Sequence, residues 1–445
     1  MTLTEQQAVR RAVDRVGLGL PAAGRSAAQR RGWPAVRDLL APTGPDRGGD
    51  RVPAPRFRPV GPGKPADEQA KRERRQLLRA NATALQTWWL RRMVATDQPF
   101  VERMTWLWHG HFATSITKVR SAQVMLQQND TLRRLGRSSF TELAQTMIVD
   151  PALLIWLDGQ KNTKASANEN LAREFMELFA LGHGHYTELD VQRGARCLTG
   201  WVLRRSDDHD QTDADAATAV LRPTRHDDTV KTFLGSTGNF GAHDYVDIVL
   251  AQPASAPFVA SRVWARLISH TAPDPTTLKV LTDAYGPERR IDQLVGAALD
   301  SSAFRDEASS LVKEPVLWLV GLLRALGVPA TAITDKVADR LLTGLHGLGE
   351  VPFVPPNVGG WPSAAGWLST ASAASRMGLA RAVVSLAPDA VQAVAGASDP
   401  IAAAAAALGV DGWSERTASS LGTLRRHPAQ LVALAACSPE CVVSR

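Results

Sequence analysis

Three cysteines in 445 residues are too few to staple a fold. Cys197 lies in an apolar helical pattern, where a thiol is buried and inert. Cys437 and Cys441 end the chain without the paired Cys/His spacing of a zinc site. No apolar run approaches the roughly 18 residues that a membrane span needs. The opening "MTLTEQQAVRRAVDRVG" is charged and amphipathic and lacks an apolar h-region, which is not a secretory signal. As it stands the chain is expected in the cytoplasm, with export open only if a leader was removed. There is no glycine-rich phosphate loop, nucleophile elbow, HExxH or dinucleotide fingerprint. Those absences argue against nucleotide-driven chemistry and a serine hydrolase. No repeat recurs at a fixed period.

What remains is an ordinary globular balance, 44% hydrophobic and 21% charged, with a net charge of +7 and a pI near 9.6. The arginines are scattered and no recognition motif accompanies them, so nucleic acid is not expected as a partner. The basic run Lys71 to Arg75 is interrupted by Glu73 and reads as the exposed start of a helix.

Helical spacing dominates, and the expected fold is mainly α, a multi-helix domain with a small β-hairpin and long proline-rich wrapping loops. Residues 1–40 carry two short helices. Residues 41–66 are an extended Pro/Gly/Arg-rich loop. Residues 67–201 form a helical core, broken at Asp150-Pro151. In 202–243 the short runs "WVLRR", "TAVLRP" and "KTFLG" read as a hairpin around a polar insertion, Ser206 to Ala217. Residues 244–445 are helical again, with a Pro/Gly/Trp loop at 351–367.

Chemistry concentrates in the core segment. In "SANENLAREFMELF", Ser166 and Glu169 fit a capping box. At 100° per residue, Leu171, Ala172, Phe175, Leu178 and Phe179 form an apolar stripe, and Asn170, Arg173, Glu174 and Glu177 gather opposite. The plain reading is a solvated face with an Arg173–Glu177 pair. The sharper one is a site in which Glu174 and Glu177 supply carboxylates and Arg173 holds one of them or a substrate anion. Upstream, "MTWLWHGHFATS" places His109 and His111 two residues apart, about 200° around a helix. They converge only if the helix ends at Gly110 with positive φ. Otherwise they cap carbonyls beside Trp106 and Trp108. Asp158 and "RHDD" (Arg225 to Asp228) read as turns sooner than as acid–base groups.

These segments, "ERMTWLWHGHFATS", "DPALLIWLDGQKN", "NENLAREFMELFALGHGHYTELDV", "ARCLTGW", "RHDD" and "PPNVGGWP", run in order along nearly the whole chain and resemble the domain of unknown function 1800 family. The resemblance implies a bacterial protein. It implies too that its signature positions, among them His109, His111, Asn168, Glu169, Asn170, Arg173, Glu174, Glu177, Tyr186, Arg196 and Trp201, make a site. Members often carry export signals and are encoded beside a sulfatase-like protein, which makes such a protein an expected partner.

Three functions are therefore in view. The first is a metal-dependent enzyme, a hydrolase before an oxidoreductase. In it His109, His111, Glu174 and Glu177 bind zinc, manganese or iron. Glu174, Glu177, Arg173 and His111 are the catalytic set, and Arg196, Asn170, Trp201, Asn357 and Trp361 hold the substrate. The second is a metal-free acid–base enzyme on a small sugar or peptide-like substrate, with a raised carboxylate pKa. The third is a binding or scaffold protein in which the same groups only fix helix packing.

Overall fold

The structure is a computed structural model that describes residues 2–60, 65–205, 217–362 and 364–444. Among them are 25 helices and three two-stranded antiparallel sheets. The mainly α expectation holds. The residues around "WVLRR" and "KTFLG" make two hairpins where one was expected. In the first, β1 (Trp201–Arg205) pairs with β2 (Ala217–Leu221), Trp201 opposite Leu221. In the second, β3 (Lys231–Phe233) pairs with β4 (Ser236–Gly238). Residues 206–216, nearly all of the polar insertion, lie outside the described residues.

The N-terminal segment holds three helices before residue 41: α1 (Glu5–Val16), Ala22–Arg31 and Trp33–Leu40. Gly32 separates the last two with φ of +68°. The proline-rich loop is not wholly irregular. Asp46 accepts from the Gly49 amide and starts a single helical turn, Arg47–Asp50. The loop then lies on α2 (Glu68–Ala95), where Trp88 Nε1 donates to Val52 O at 3.1 Å.

The organising element is α3 (Pro99–His111), with Pro99 pre-setting its first turn. All of its residues but Gly110 are buried, so it is a helix enclosed all round. It runs between two apolar cores. Met104, Leu107, Trp108 and the following Phe112 enter the first, formed largely from residues up to 304. Trp106 enters the second, built from α2, α8 (Pro315–Ala325) and the C-terminal helices. Charge ties α3 to its neighbours. Glu102, fully buried, accepts from Arg92 and Trp89 of α2 and from Arg133 of α4 (Ala122–Leu135). No helix among the described residues is long and apolar enough to cross a membrane.

Candidate functional site

The acidic segment begins as α5 (Asn170–Glu174) and widens without a break into a π-helical stretch, Phe175–Ala180. The start is not the capping box that Ser166 and Glu169 suggest. Ser166 closes a turn with Thr163, and Asn168 Oδ1 receives the Asn170 amide at 3.0 Å. The wider turn also changes which residues are buried. They fall in doublets four apart, Leu171/Ala172, Phe175/Met176 and Phe179/Ala180, so Met176 takes the core place that the wheel gave to Leu178. π-Helical turns occur often at functional sites. Here three outside side chains hold the segment's carbonyls. Tyr245 Oη donates to Ala172 O at 2.8 Å. Arg262, on α7 (Ser255–Leu267), reaches Leu178 O at 3.4 Å, and His111 Nε2 meets Phe179 O at 3.0 Å.

The opposite face is half-buried and carries the carboxylates. Tyr186 Oη donates to Glu177 Oε2 at 2.7 Å, and His183 Nε2 lies 3.3 Å from Oε1. Glu174 has no hydrogen bond within the described residues. Burial first, and the charge of Glu177 second, raise its pKa above the ordinary glutamate value. Arg173 does not pair with Glu177. Its guanidinium forks onto Glu188 at 2.6 and 2.8 Å, and Nη2 also reaches Glu169 at 3.0 Å. Glu188 opens α6 (Glu188–Cys197), so Arg173 ties two helices together and is not free to clamp a substrate.

The two histidines do not converge. The helix runs through Gly110 with negative φ and ends only after His111, so the imidazoles point to different cores. His109 sits among Trp89, Trp106, Phe353 and Trp361, with ring centroids 5.1 to 6.1 Å away. Its Nε2 accepts the Phe353 amide at 3.1 Å. His111 packs against Trp108, Phe112, Phe140 and Phe179 and caps a carbonyl, while its buried Nδ1 has no partner. Burial pulls the pKa of His109 down to about 3; burial, then the charge of Arg262, pulls that of His111 well below the usual value. Among the described residues no three His, Cys, Asp or Glu side chains are placed to hold one metal ion. The proposed ligand set His109, His111, Glu174 and Glu177 therefore does not assemble, because His111 is enclosed against the apolar side of the segment that bears the two carboxylates and His109 is enclosed in the other core.

Opposite tautomers follow. A carbonyl accepts, so His111 carries its proton on Nε2; an amide donates to His109 Nε2, so His109 carries its proton on Nδ1. ¹⁵N spectra of imidazole-labelled protein should show one neutral ring of each kind, unchanged from about pH 8 to 5. An imidazolium signal from either ring in that range would contradict the geometry.

Several of the remaining predicted residues have partners within the fold. Arg196 donates to Asp227 Oδ2 at 2.6 Å and to Thr229, and His226 Nδ1 lies 3.0 Å from Thr199 O, so "RHDD" is the turn it was read as. Asp158, with φ of +58°, is a turn residue held by Lys118 and Lys161. Asn170 Nδ2 bonds Leu157 O at 3.3 Å. Trp201 is half-buried on β1, and exposed Asn357 closes a turn onto the Gly359 amide. Trp361 is no wall of an open site; it is buried, stacked on Trp106 at 5.0 Å and 18°.

Sequence reasoning passed over Tyr186 as a partner of Glu177 and Glu188 as the partner of Arg173. Both lie in "HYTELD", directly after the acidic segment, and that adjacency was the available signal. It passed over a cleft as well. This cleft, of about 1000 Å³ with its open mouth included, lies elsewhere, among α1, α3, α7 and α8. No curated protein and no solved structure matches the chain. A family model described as "Protein of unknown function (DUF1800)" matches residues 8–443, almost the full length. The chain thus belongs to the DUF1800 family.

Proposed function

We propose that the Glu174–Glu177 face is a metal-free acid–base site acting on a small sugar or peptide-like substrate. One observation carries the reading: two carboxylates three residues apart lie in unlike environments. Glu177 is fixed by the Tyr186 hydroxyl, whereas Glu174 is half-buried, without a donor, and raised in pKa. A carboxyl raised by its surroundings is suited to the role of acid beside a second carboxylate. Glu174 is the proton donor to a leaving oxygen or nitrogen. Glu177, held by the Tyr186 hydroxyl, steers water or stabilises developing positive charge. Arg173 and Glu188 hold the two helices that frame the face.

The test is turnover of a panel of aryl glycosides and peptide anilides. Glu174→Gln should lower kcat/KM about 10²- to 10⁴-fold on any member the protein hydrolyses. Glu177→Gln should move the basic limb of the pH profile to lower pH, because the charge that raises Glu174 is gone. Its stability should fall by no more than about 1 kcal/mol, the worth of one hydrogen bond. The scaffold reading requires Glu177 to anchor Arg173, and Arg173 is anchored by Glu188 and Glu169 instead. Full activity in Glu174→Gln would end the proposal, as would no turnover of any panel member together with an ordinary Glu174 titration.

A further inference from the structure

The cleft among α1, α3, α7 and α8 has its own chemistry. Six cationic side chains line it, Arg10, Arg15, Arg25, Arg103, Arg266 and Lys313, against two carboxylates. Both carboxylates are already engaged. Asp14 pairs with Lys313 at 2.6 Å; Glu314 takes Arg266 at 3.1 Å and the Trp106 indole at 2.6 Å. Arg10 pairs with Asp411. Arg15, Arg25 and Arg103 have no acidic partner among the described residues and are held by carbonyls. Arg15 reaches Ser309 O and Ser444 O, both at 2.9 Å. Arg25 reaches Ala406 O at 2.5 Å and Ala407 O at 2.7 Å. Arg103 reaches Arg15 O at 3.0 Å and Arg266 O at 2.5 Å.

Backbone carbonyls satisfy donors but do not neutralise charge. Asp14 acts on Arg15 and Arg25, and Glu314 and Glu350 on Arg103, but none is within salt-bridge distance. Buried guanidinium groups so placed are costly, and an anion in the cleft would offset that cost. Burial, the largest cause, pulls Arg10 down to about 10 and Arg15 down to about 9, although Asp14 acts the other way on both. Two further donors on the same wall have no acceptor. Arg103 is 2% exposed and Trp367 is also 2% exposed, yet neither Arg103 Nη1 nor Trp367 Nε1 has a partner. The rest of the lining is apolar, with Leu18, Leu317, Leu322 and Trp318.

We infer that this cleft binds a small amphiphilic anion, with its oxyanion headgroup on Arg103, Arg10 and Trp367 and its apolar part against Leu317 and Trp318. Two headgroup chemistries fit a guanidinium fork, a carboxylate and a phosphate monoester. None of the residues that line the cleft belongs to the Glu174–Glu177 face.

Calorimetric titration of the full chain with octanoate, octyl phosphate and octyl glucoside tests it. Both anions should bind at concentrations well below about 1 mM, the tighter one identifying the headgroup, and the neutral glucoside should not. Binding should weaken as salt is raised. Arg103→Met should lower the affinity about tenfold or more. Because Arg103 also holds two carbonyls, two milder variants accompany it. Arg10→Gln alters a partly exposed residue, and Trp367→Phe removes the indole N–H while leaving a smaller aromatic ring. Each should lower affinity about threefold with the melting temperature retained. The inference is overturned by equal binding of octyl glucoside, by no binding of either anion near 1 mM, or by unchanged affinity in both Arg10→Gln and Trp367→Phe.

Discussion

Replacing Glu102 with alanine is expected to lower the unfolding free energy by about 3–5 kcal/mol, the range for breaking a buried, hydrogen-bonded charge pair by removing one partner. Glu102 is 0% exposed and accepts four hydrogen bonds. Oε1 takes Arg92 Nε at 2.8 Å and Arg133 Nε at 2.6 Å; Oε2 takes the Trp89 indole at 2.9 Å and Arg133 Nη2 at 3.2 Å. One carboxylate thus joins α2, α3 and α4. In the alanine variant Arg92 keeps Asp46 at 3.3 Å and Arg133 keeps Asp130 at 2.7 Å, but the Trp89 N–H is left buried without an acceptor. Burial alone would raise the pKa of Glu102; Arg133, and then Arg92, hold it below the ordinary value. A carboxylate depressed in the folded state stabilises above its unfolded pKa, and that stability is lost as pH falls through the folded value. The gap between wild type and Glu102→Ala in denaturant melts should therefore be full at pH 7 and shrink below about pH 4. A gap under about 1 kcal/mol at neutral pH would show that the network contributes little.

How far such a network can be read from sequence depends on the distance between its parts. The helices were legible because apolar spacing is local, and so was the turn at Asp158. The acidic face was legible as a cluster, because Asn170, Arg173, Glu174 and Glu177 lie within eight residues. The partners were not. An i, i+4 rule joins Arg173 to Glu177, but the better geometry comes from Glu188, fifteen residues on and on another helix. A wheel drawn at 3.6 residues per turn cannot anticipate a π-helical stretch, so Leu178 and Met176 exchanged places. The cleft was least legible. Its cations come from positions 10, 15, 25, 103, 266 and 313, and in sequence they are scattered arginines and a lysine. Only the fold makes them neighbours.

The same limit governs the two glycine motifs, and it sets the second large effect. Gly360→Ala should cost more than about 3 kcal/mol, whereas Gly110→Ala should be neutral or stabilising by up to about 1 kcal/mol. In "WHGH" the glycine looked like a helix terminator needing positive φ. It is instead helical, and a Cβ on it would meet only the Trp361 ring, at 3.7 and 3.9 Å, an ordinary contact. Alanine there gains helix propensity and loses nothing. The demanding glycine is in "GGWP". Gly360 has φ of +83°, where a side chain costs about 1–2 kcal/mol. A Cβ at Gly360 would also lie 2.2 Å from the Gly110 carbonyl oxygen, which is backbone inside an enclosed helix and cannot give way. The loop would have to lift, taking Trp361 off Trp106 and off the edge of His109. Urea melts of the two variants read the stability difference, and tryptophan emission should shift in Gly360→Ala alone. Only Gly360 must lack a side chain, so that its left-handed turn can lie against the Gly110 carbonyl. If Gly110→Ala proved the more damaging change, the helix would have to end where the sequence first suggested, and the separation of His109 from His111 into different cores would fall with it.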